Sequence, residues 1–299
     1  MGKPKYRRWE VVLARAIVEA SKLADLPPEA CKFCGSKIIV RYGTYKGVQR
    51  WICRTCGRKF ADNNAPDGMR LPAVQIAAAL SMFYEGLSLN AIRRNLKQTF
   101  NSFPSDSTVY DWIVKYTKLA ISEIKDYIPK VGSIWVADET VLRIEGQNTW
   151  FWDIIDNNTR FLIASHMSLS RTTRDAQTFV ERAAKRANKI PRVIITDKLQ
   201  AYIDGIELAF GADTKHLPAK KLTAKGGTQL IERFHSTLKA RTKIMRGLKK
   251  RETAKLIMDG WLIHYNFLRP HESLHNRTPA EAAQIKYKFR NWLDIVKGG

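Results

Sequence analysis

RVIITD, residues 192–197, is a short and almost wholly apolar run that ends on a carboxylate. Apolar residues at consecutive positions suit a strand buried in the middle of a sheet, not one with a wet face. The segments around it agree. Ala176, Phe179, Val180 and Ala183 fall at helical spacing before it, and LQAYIDGIELAF (199–210) reads as a helix after it. Further upstream lie three β-rich runs, IWVAD (134–138), TWFWDIID (149–156) and RFLIASHMSL (160–169), the last two split by the turn-like Asn157-Asn158. Three antiparallel strands, a helix, a parallel strand and more helices predict an α/β layered domain.

Downstream, Lys215–Gly227 reads as a basic, glycine-containing loop, and TQLIERFHSTLKARTKIMR (228–246) as one amphipathic helix stopped by Gly247. Ile231, Phe234, Leu238 and Met245 form its apolar stripe. Its other side carries Glu232, His235, Ser236, Lys239, Lys243 and Arg246. Taken alone, that side is a solvated basic face with one acid on it. A last helix carries Ala254, Ile257, Met258, Trp261 and Tyr265.

The 299-residue chain has a formal charge of +23 and a 44% hydrophobic content. It is therefore a folded protein with a polyanionic partner, nucleic acid ahead of a membrane surface. No apolar run approaches the roughly 20 residues that span a bilayer, and the N-terminus lacks a signal-peptide pattern, so an intracellular protein of cytoplasm or nucleoid is expected. All four cysteines form two C-x2-C pairs, Cys31/Cys34 and Cys53/Cys56. In a reducing compartment that is metal-ligand spacing for one structural Zn²⁺, with two disulfides as the alternative. Between the pairs, two β-rich runs around Gly43 and Gly47 suit a zinc-ribbon hairpin. From Cys31 to Phe60 there are lysines and arginines, Arg54, Arg58 and Lys59 among them, and no acid, which favours contact with nucleic acid.

Before the ribbon, residues 1–26 read as a basic helix ended by Pro27 and Pro28. After it, ADNNAPDG (61–68) is a linker, followed by three helical segments. Pro72 opens the first, Ser88 caps the second, and Ser105 to Ser107 cap the third. The third turns Val109, Trp112, Ile113, Tyr116 and Ala120 inward and shows Lys115 outward. A helix-turn-helix and a plain three-helix packing domain fit equally well. The divisions expected are a basic helix at 1–30, a zinc ribbon at 31–60, a helix-turn-helix-like domain at 69–128, an α/β domain at 131–287 and a tail at 288–299.

Asp138 and Asp197 each end a run that reads as a central strand, where ligand-binding residues of layered α/β folds collect. The alternative for Asp197 is that it N-caps the following helix. Glu139 is expected on the opposite face from Asp138 by strand alternation, and Asp153 and Asp156 are weaker candidates. Thirty-four residues separate Asp197 from Glu232. With WVADET, ITDK, IERFHSTLKARTK, the C-terminal YNFLRPHESL (265–274) and TPAEAA (278–283), this set resembles the DDE transposase and retroviral-integrase superfamily. The closest likeness is to insertion-sequence transposases with an N-terminal zinc ribbon; Thr228-Gln229 stands where many relatives carry asparagine.

The resemblance implies an RNase H-like catalytic core. It also implies two Mg²⁺ or Mn²⁺ ions, with Asp138 bridging them and Asp197 and Glu232 holding one each. It implies 3′-end cleavage and strand transfer at terminal inverted repeats. Double-stranded end and target DNA would be the partners, and a homodimer or higher multimer the working form. Two hard cations about 4 Å apart suit phosphodiester attack, and carboxylate oxygens suit those cations. Lys239, Lys243, Arg246, Arg54, Arg58, Lys59 and Lys115 are the expected DNA contacts. His235 either lines the site or is a hydrogen-bonded structural histidine. Two rival functions remain: a binding-only derivative of such a transposase, and another RNase H-fold nuclease.

Overall fold

The computed structural model describes residues 28–45, 48–61, 65–66, 68–218, 229–244 and 250–298. The N-terminal helix read at 1–26, Gly47, the basic loop from residue 219 onward, Met245, Arg246 and Gly247 lie outside the described residues. Two compact units divide between Ala73 and Val74.

In the first unit, β1 (Ile39–Tyr45), β2 (Val48–Cys53) and β3 (Lys59–Ala61) form an antiparallel three-stranded sheet in sequence order. The pairing Trp51↔Phe60 puts both rings on one face, where they join Cys31 and Cys53 in a small core. The opposite face, defined by the pairs Val40↔Ile52 and Ile52↔Lys59, mixes half-buried Val40 and Ile52 with exposed Lys59. So small a core cannot by itself offset the entropy of ordering some thirty residues.

The second unit opens with α1 (Ala73–Tyr84), α2 (Leu89–Phe100) and α3 (Asp106–Ile124). Ser88 and Ser105 accept the capping N–H groups of Ala91 and Thr108, as their positions before the helical runs predict. Val109, Trp112, Ile113, Tyr116 and Ala120 are buried on α3, and Lys115 is exposed. A sheet follows: β4 (Ile134–Ile144), β5 (Gln147–Asp156), β6 (Leu162–Ser168), β7 (Val193–Thr196) and β8 (Lys215–Pro218). Between these strands run α4 (Thr173–Ala187) and α5 (Gln200–Phe210), and after them α6 (Gln229–Ile244), α7 (Arg251–Ile263), the short α8 (Pro279–Ala282) and α9 (Trp292–Gly298).

Strand order is β6-β5-β4-β7-β8, with β4, β5 and β6 antiparallel and β7 and β8 parallel to β4. This five-stranded mixed sheet is the RNase H-like order. β4 shows why its own sequence changes character halfway. Residues 135–137, flanked by β5 and β7, are buried without alternation, whereas 140–144, paired to β5 alone, alternate buried and exposed. β8 corrects the reading of 215–218 as loop. Its residues KHLP carry no strand pattern, and Pro218 is tolerated because β8 is an edge.

The C-terminal motifs brace this unit. The Asn266 side chain bonds both backbone groups of Leu162 at 2.8 and 2.9 Å, replacing a missing strand partner on β6. Thr278 and Glu281 form a capping box with Pro279 at the first turn of α8. Trp292 stacks on Tyr84 with ring centres 5.1 Å apart. Among the described residues, no helix is long and apolar enough to cross a membrane.

Candidate active site and metal centre

The parallel ladder of β4 and β7 ends at Val136↔Ile195. Two residues further along each strand stand Asp138 and Asp197, so the two carboxylates leave neighbouring strands where the sheet splays open. Oxygens of Asp138, Glu139 and Asp197 all lie within 4.8 Å of one another. Asp138 is one-fifth exposed and Asp197 is 45% exposed, while Glu139 is 3% exposed. Glu139 therefore joins the site, against the expectation from alternation. Strand alternation starts its Cβ on the other face, yet its carboxylate comes within 4.8 Å of those of Asp138 and Asp197. Asp197 is not the N-cap of α5; that position is Leu199, with no side-chain cap, and Asp197 Oδ1 accepts the Leu199 N–H at 3.0 Å in a local turn. Its other oxygen, Oδ2, lies 3.8 Å from the Arg171 guanidinium.

On the far face from Glu139, α6 is pinned by His235. Its Nδ1 lies 3.3 Å from Asp138 Oδ2 and its Nε2 3.0 Å from Asp153 Oδ2. Asp138 and Asp153 are direct cross-strand partners on β4 and β5, so one imidazole from α6 spans the pair. Asp153 is wholly buried and also accepts the Ser165 hydroxyl. Burial alone would lower the His235 pKa, but the hydrogen bonds and charges of Asp138 and Asp153 outweigh it and raise it to about 9. His235 is thus an imidazolium at neutral pH, clamped between two carboxylates. His235 thus both lies against Asp138 and is a buried, hydrogen-bonded histidine, the two readings that the sequence left open.

Glu232 stands one turn before His235 on α6, is exposed, and lies outside the compact oxygen group. Lys239 and Lys243 are exposed further along the same helix. Asp156 works away from the site, accepting the N–H of Gly132 and both the N–H and hydroxyl of Thr159, which closes the turn between β5 and β6. His271 packs edge-on against Tyr265 at 4.7 Å, part of the brace and not of the site.

Glu139 has its own neighbourhood, which sequence reasoning missed entirely. Arg171, in the loop before α4, is ion-paired to Glu139 and lies 3.8 Å from Asp197 Oδ2. Burial raises the Glu139 pKa above the usual carboxylate range, opposed by the Tyr202 hydroxyl and by Arg171.

The second cluster is in the ribbon unit. Cys31 Sγ and Cys56 Sγ are 3.7 Å apart and Cys34 Sγ and Cys53 Sγ 3.6 Å, with all four sulfurs within 4.8 Å. The four cysteines are free thiols, not disulfides. A tetrahedral thiolate site with metal–sulfur bonds of about 2.3 Å has sulfur–sulfur edges of about 3.8 Å, so the arrangement fits one dication. The backbone N–H of Cys56 helps pull the Cys53 thiol down to about 6, against its burial. Although the Ser36 N–H favours its thiolate, burial and the three other thiols push Cys34 up to about 12. Without a cation the four cannot all ionise at neutral pH. Arg54, Arg58 and Lys59 are exposed around this cluster.

The family model for the DDE domain of IS240-type transposases matches residues 132–271. The chain carries a DDE domain. The matched segment spans the sheet, α4 to α7 and the YNFLRPH segment. Among solved structures, the HTLV-2 integrase catalytic core domain in complex with magnesium is 16% identical with a TM-score of 0.41, covering 52% of this chain and 97% of that one. The catalytic core domain of BIV integrase is 16% identical with a TM-score of 0.40, covering 51% and 94%. A simian T-cell lymphotropic virus intasome in complex with PP2A regulatory subunit B56 gamma is 13% identical with a TM-score of 0.42, covering 69% and 74%. No curated protein matches the chain by sequence.

Proposed function

We propose that this protein is an insertion-sequence transposase that cuts the 3′ ends of its element and joins them to target DNA. The observation that carries the reading is the convergence of Asp138 and Asp197 where β4 and β7 splay, inside the DDE domain, with α6 clamped alongside by His235. Asp138, Asp197 and Glu232 are the proposed ligands of two Mg²⁺ or Mn²⁺ ions, which would activate the attacking hydroxyl or water and stabilise the leaving oxygen. Hard oxygen donors around a partly exposed mouth suit such cations.

The chain's own residues do the rest. His235 fixes the Asp138 carboxylate and sets α6 against the sheet, which orients Glu232 one turn away. Lys239, Lys243 and Arg246 form the proposed track for a DNA phosphate backbone, and Lys115, Arg54, Arg58 and Lys59 add contacts from the helical segment (69–128) and the ribbon (31–60). Those two segments are assigned terminal-repeat binding, and 131–287 the chemistry. Basic surfaces position duplex DNA without reading it, so terminal-repeat specificity needs further base contacts from these segments. A dimer or higher multimer, working within the cell, would hold both ends.

The assay for this reading uses the full chain, labelled end DNA, Mg²⁺ and a supercoiled target plasmid. It should yield a 3′-cut end and then plasmid-sized labelled product. End binding with neither product would instead favour the binding-only derivative, and cutting that ignores the end sequence would favour a general nuclease.

The metal of the four cysteines is proposed to be zinc. The protein should contain one zinc per chain and resist thiol-reactive dye until a chelator is added, after which four thiols should react. Cys53→Ser should lose the metal and unfold β1–β3, because apparent zinc binding in such small modules is worth about 10–16 kcal/mol. A metal-free protein with an intact ribbon would contradict the assignment.

A further inference from the structure

Arg171 is held unusually well for a loop residue. Its neighbour Thr172 caps α4, exchanging hydrogen bonds with Asp175, and Ser170 donates to the same carboxylate. The backbone on both sides of Arg171 is thereby fixed to the start of α4. Its guanidinium lies over the Trp150 ring at 4.6 Å and reaches Glu139 and Asp197 through the same nitrogen. Glu139 Oε2 is buried, and the Tyr202 hydroxyl beside it interacts with the Glu139 carboxyl. Arg171 is the cation paired with this enclosed side chain.

Three carboxylates within 4.8 Å repel one another, and two positive groups offset them from opposite faces of β4. His235 serves Asp138, and Arg171 serves Glu139 and Asp197. The two legs of Arg171 are unequal: the contact to buried Glu139 is close, and the one to half-exposed Asp197 is 3.8 Å.

Resting on the metal-site reading above, we propose that Arg171 is a built-in counter-ion of the acidic site and gives up Asp197 when a divalent cation binds. The guanidinium and a divalent cation would compete for the same Asp197 oxygen. The longer, more exposed leg is the one that yields, while Glu139 and Trp150 keep the side chain anchored. Arg171 is accordingly a positioning residue. It sets how tightly the site takes a cation and keeps Asp197 oriented until one arrives.

Mn²⁺ binding to the full chain by calorimetry tests this without reference to activity. Arg171→Ala should tighten binding at least about fivefold, the scale of a modest coupling between two ligands of one site. Arg171→Lys should tighten it by a smaller factor, because an ammonium keeps Glu139 paired but, on a differently shaped stem, does not hold Asp197 as the guanidinium nitrogen does. If Arg171→Ala does not fold, Arg171→Lys decides. Unchanged or weaker Mn²⁺ binding in these variants would overturn the inference. Asp197→Asn provides the control: it should impair binding. Impaired Asp197→Asn beside unaffected Arg171 variants rejects only the role of Arg171. Asp197→Asn that binds like the parent rejects the metal site and this inference together.

Discussion

Asp138→Asn should abolish Mg²⁺-dependent DNA cleavage while leaving DNA binding intact. Asp138 stands where the β4–β7 ladder ends, shares the oxygen cluster with Asp197, and is held by His235 at 3.3 Å. An amide of the same shape keeps the packing but removes the charge that a hard cation requires, and it can turn an N–H₂ toward the site. Metal-assisted charge stabilisation is worth several kcal/mol of barrier, so the expected loss is at least about a thousandfold in single-turnover rate. Gel-shift affinity for end DNA should change little, because binding is carried by basic side chains elsewhere. Cleavage at the parental rate would exclude Asp138 as a ligand.

His235→Ala should be the most destabilising single change near the site. It removes the imidazolium from between Asp138 and Asp153 and leaves Asp153, wholly buried, with only the Ser165 hydroxyl. Breaking a buried charge pair by deleting one partner costs about 3–5 kcal/mol. The pH dependence has a definite sign. The folded-state pKa of about 9 lies above the ordinary value of 6.5, so the protonated histidine stabilises the fold fully below about pH 6.5. That contribution fades as pH rises through about 9. The stability gap between parent and His235→Ala, measured by denaturant titration without added divalent cations, should therefore be widest near pH 6 and narrower at pH 9.5. A gap that widened with pH would show that His235 is buried neutral.

Much of this site is legible in the sequence alone, for reasons that differ residue by residue. Asp138 and Asp197 stand out because apolar runs end on them, and parallel pairing does bring such ends together. The caps at Ser88, Ser105 and Thr278 are legible because capping is local chemistry. What stays hidden depends on distant contacts. His235 meets a partner 82 residues away, so no spacing rule can choose between a site residue and a structural one. Arg171 is one arginine among many until the β6–α4 connection carries it to Glu139. Alternation places the start of the Glu139 side chain opposite Asp138 but does not say where a long side chain carries its carboxylate, which here comes within 4.8 Å of Asp138 and Asp197. β8 escapes the sequence for a related reason: an edge strand of four residues is made by its neighbour's unpaired backbone, not by its own pattern.

If this protein runs a DDE reaction, the mouth between β4 and β7 binds its cations. Anomalous scattering from crystals of the full chain soaked in Mn²⁺ locates those ions against the carboxylates themselves. The expected result is a peak bonded to oxygens of both Asp138 and Asp197, with Arg171 withdrawn from Asp197 and still paired to Glu139. A crystal saturated with Mn²⁺ that shows no peak between these two carboxylates would contradict the metal site.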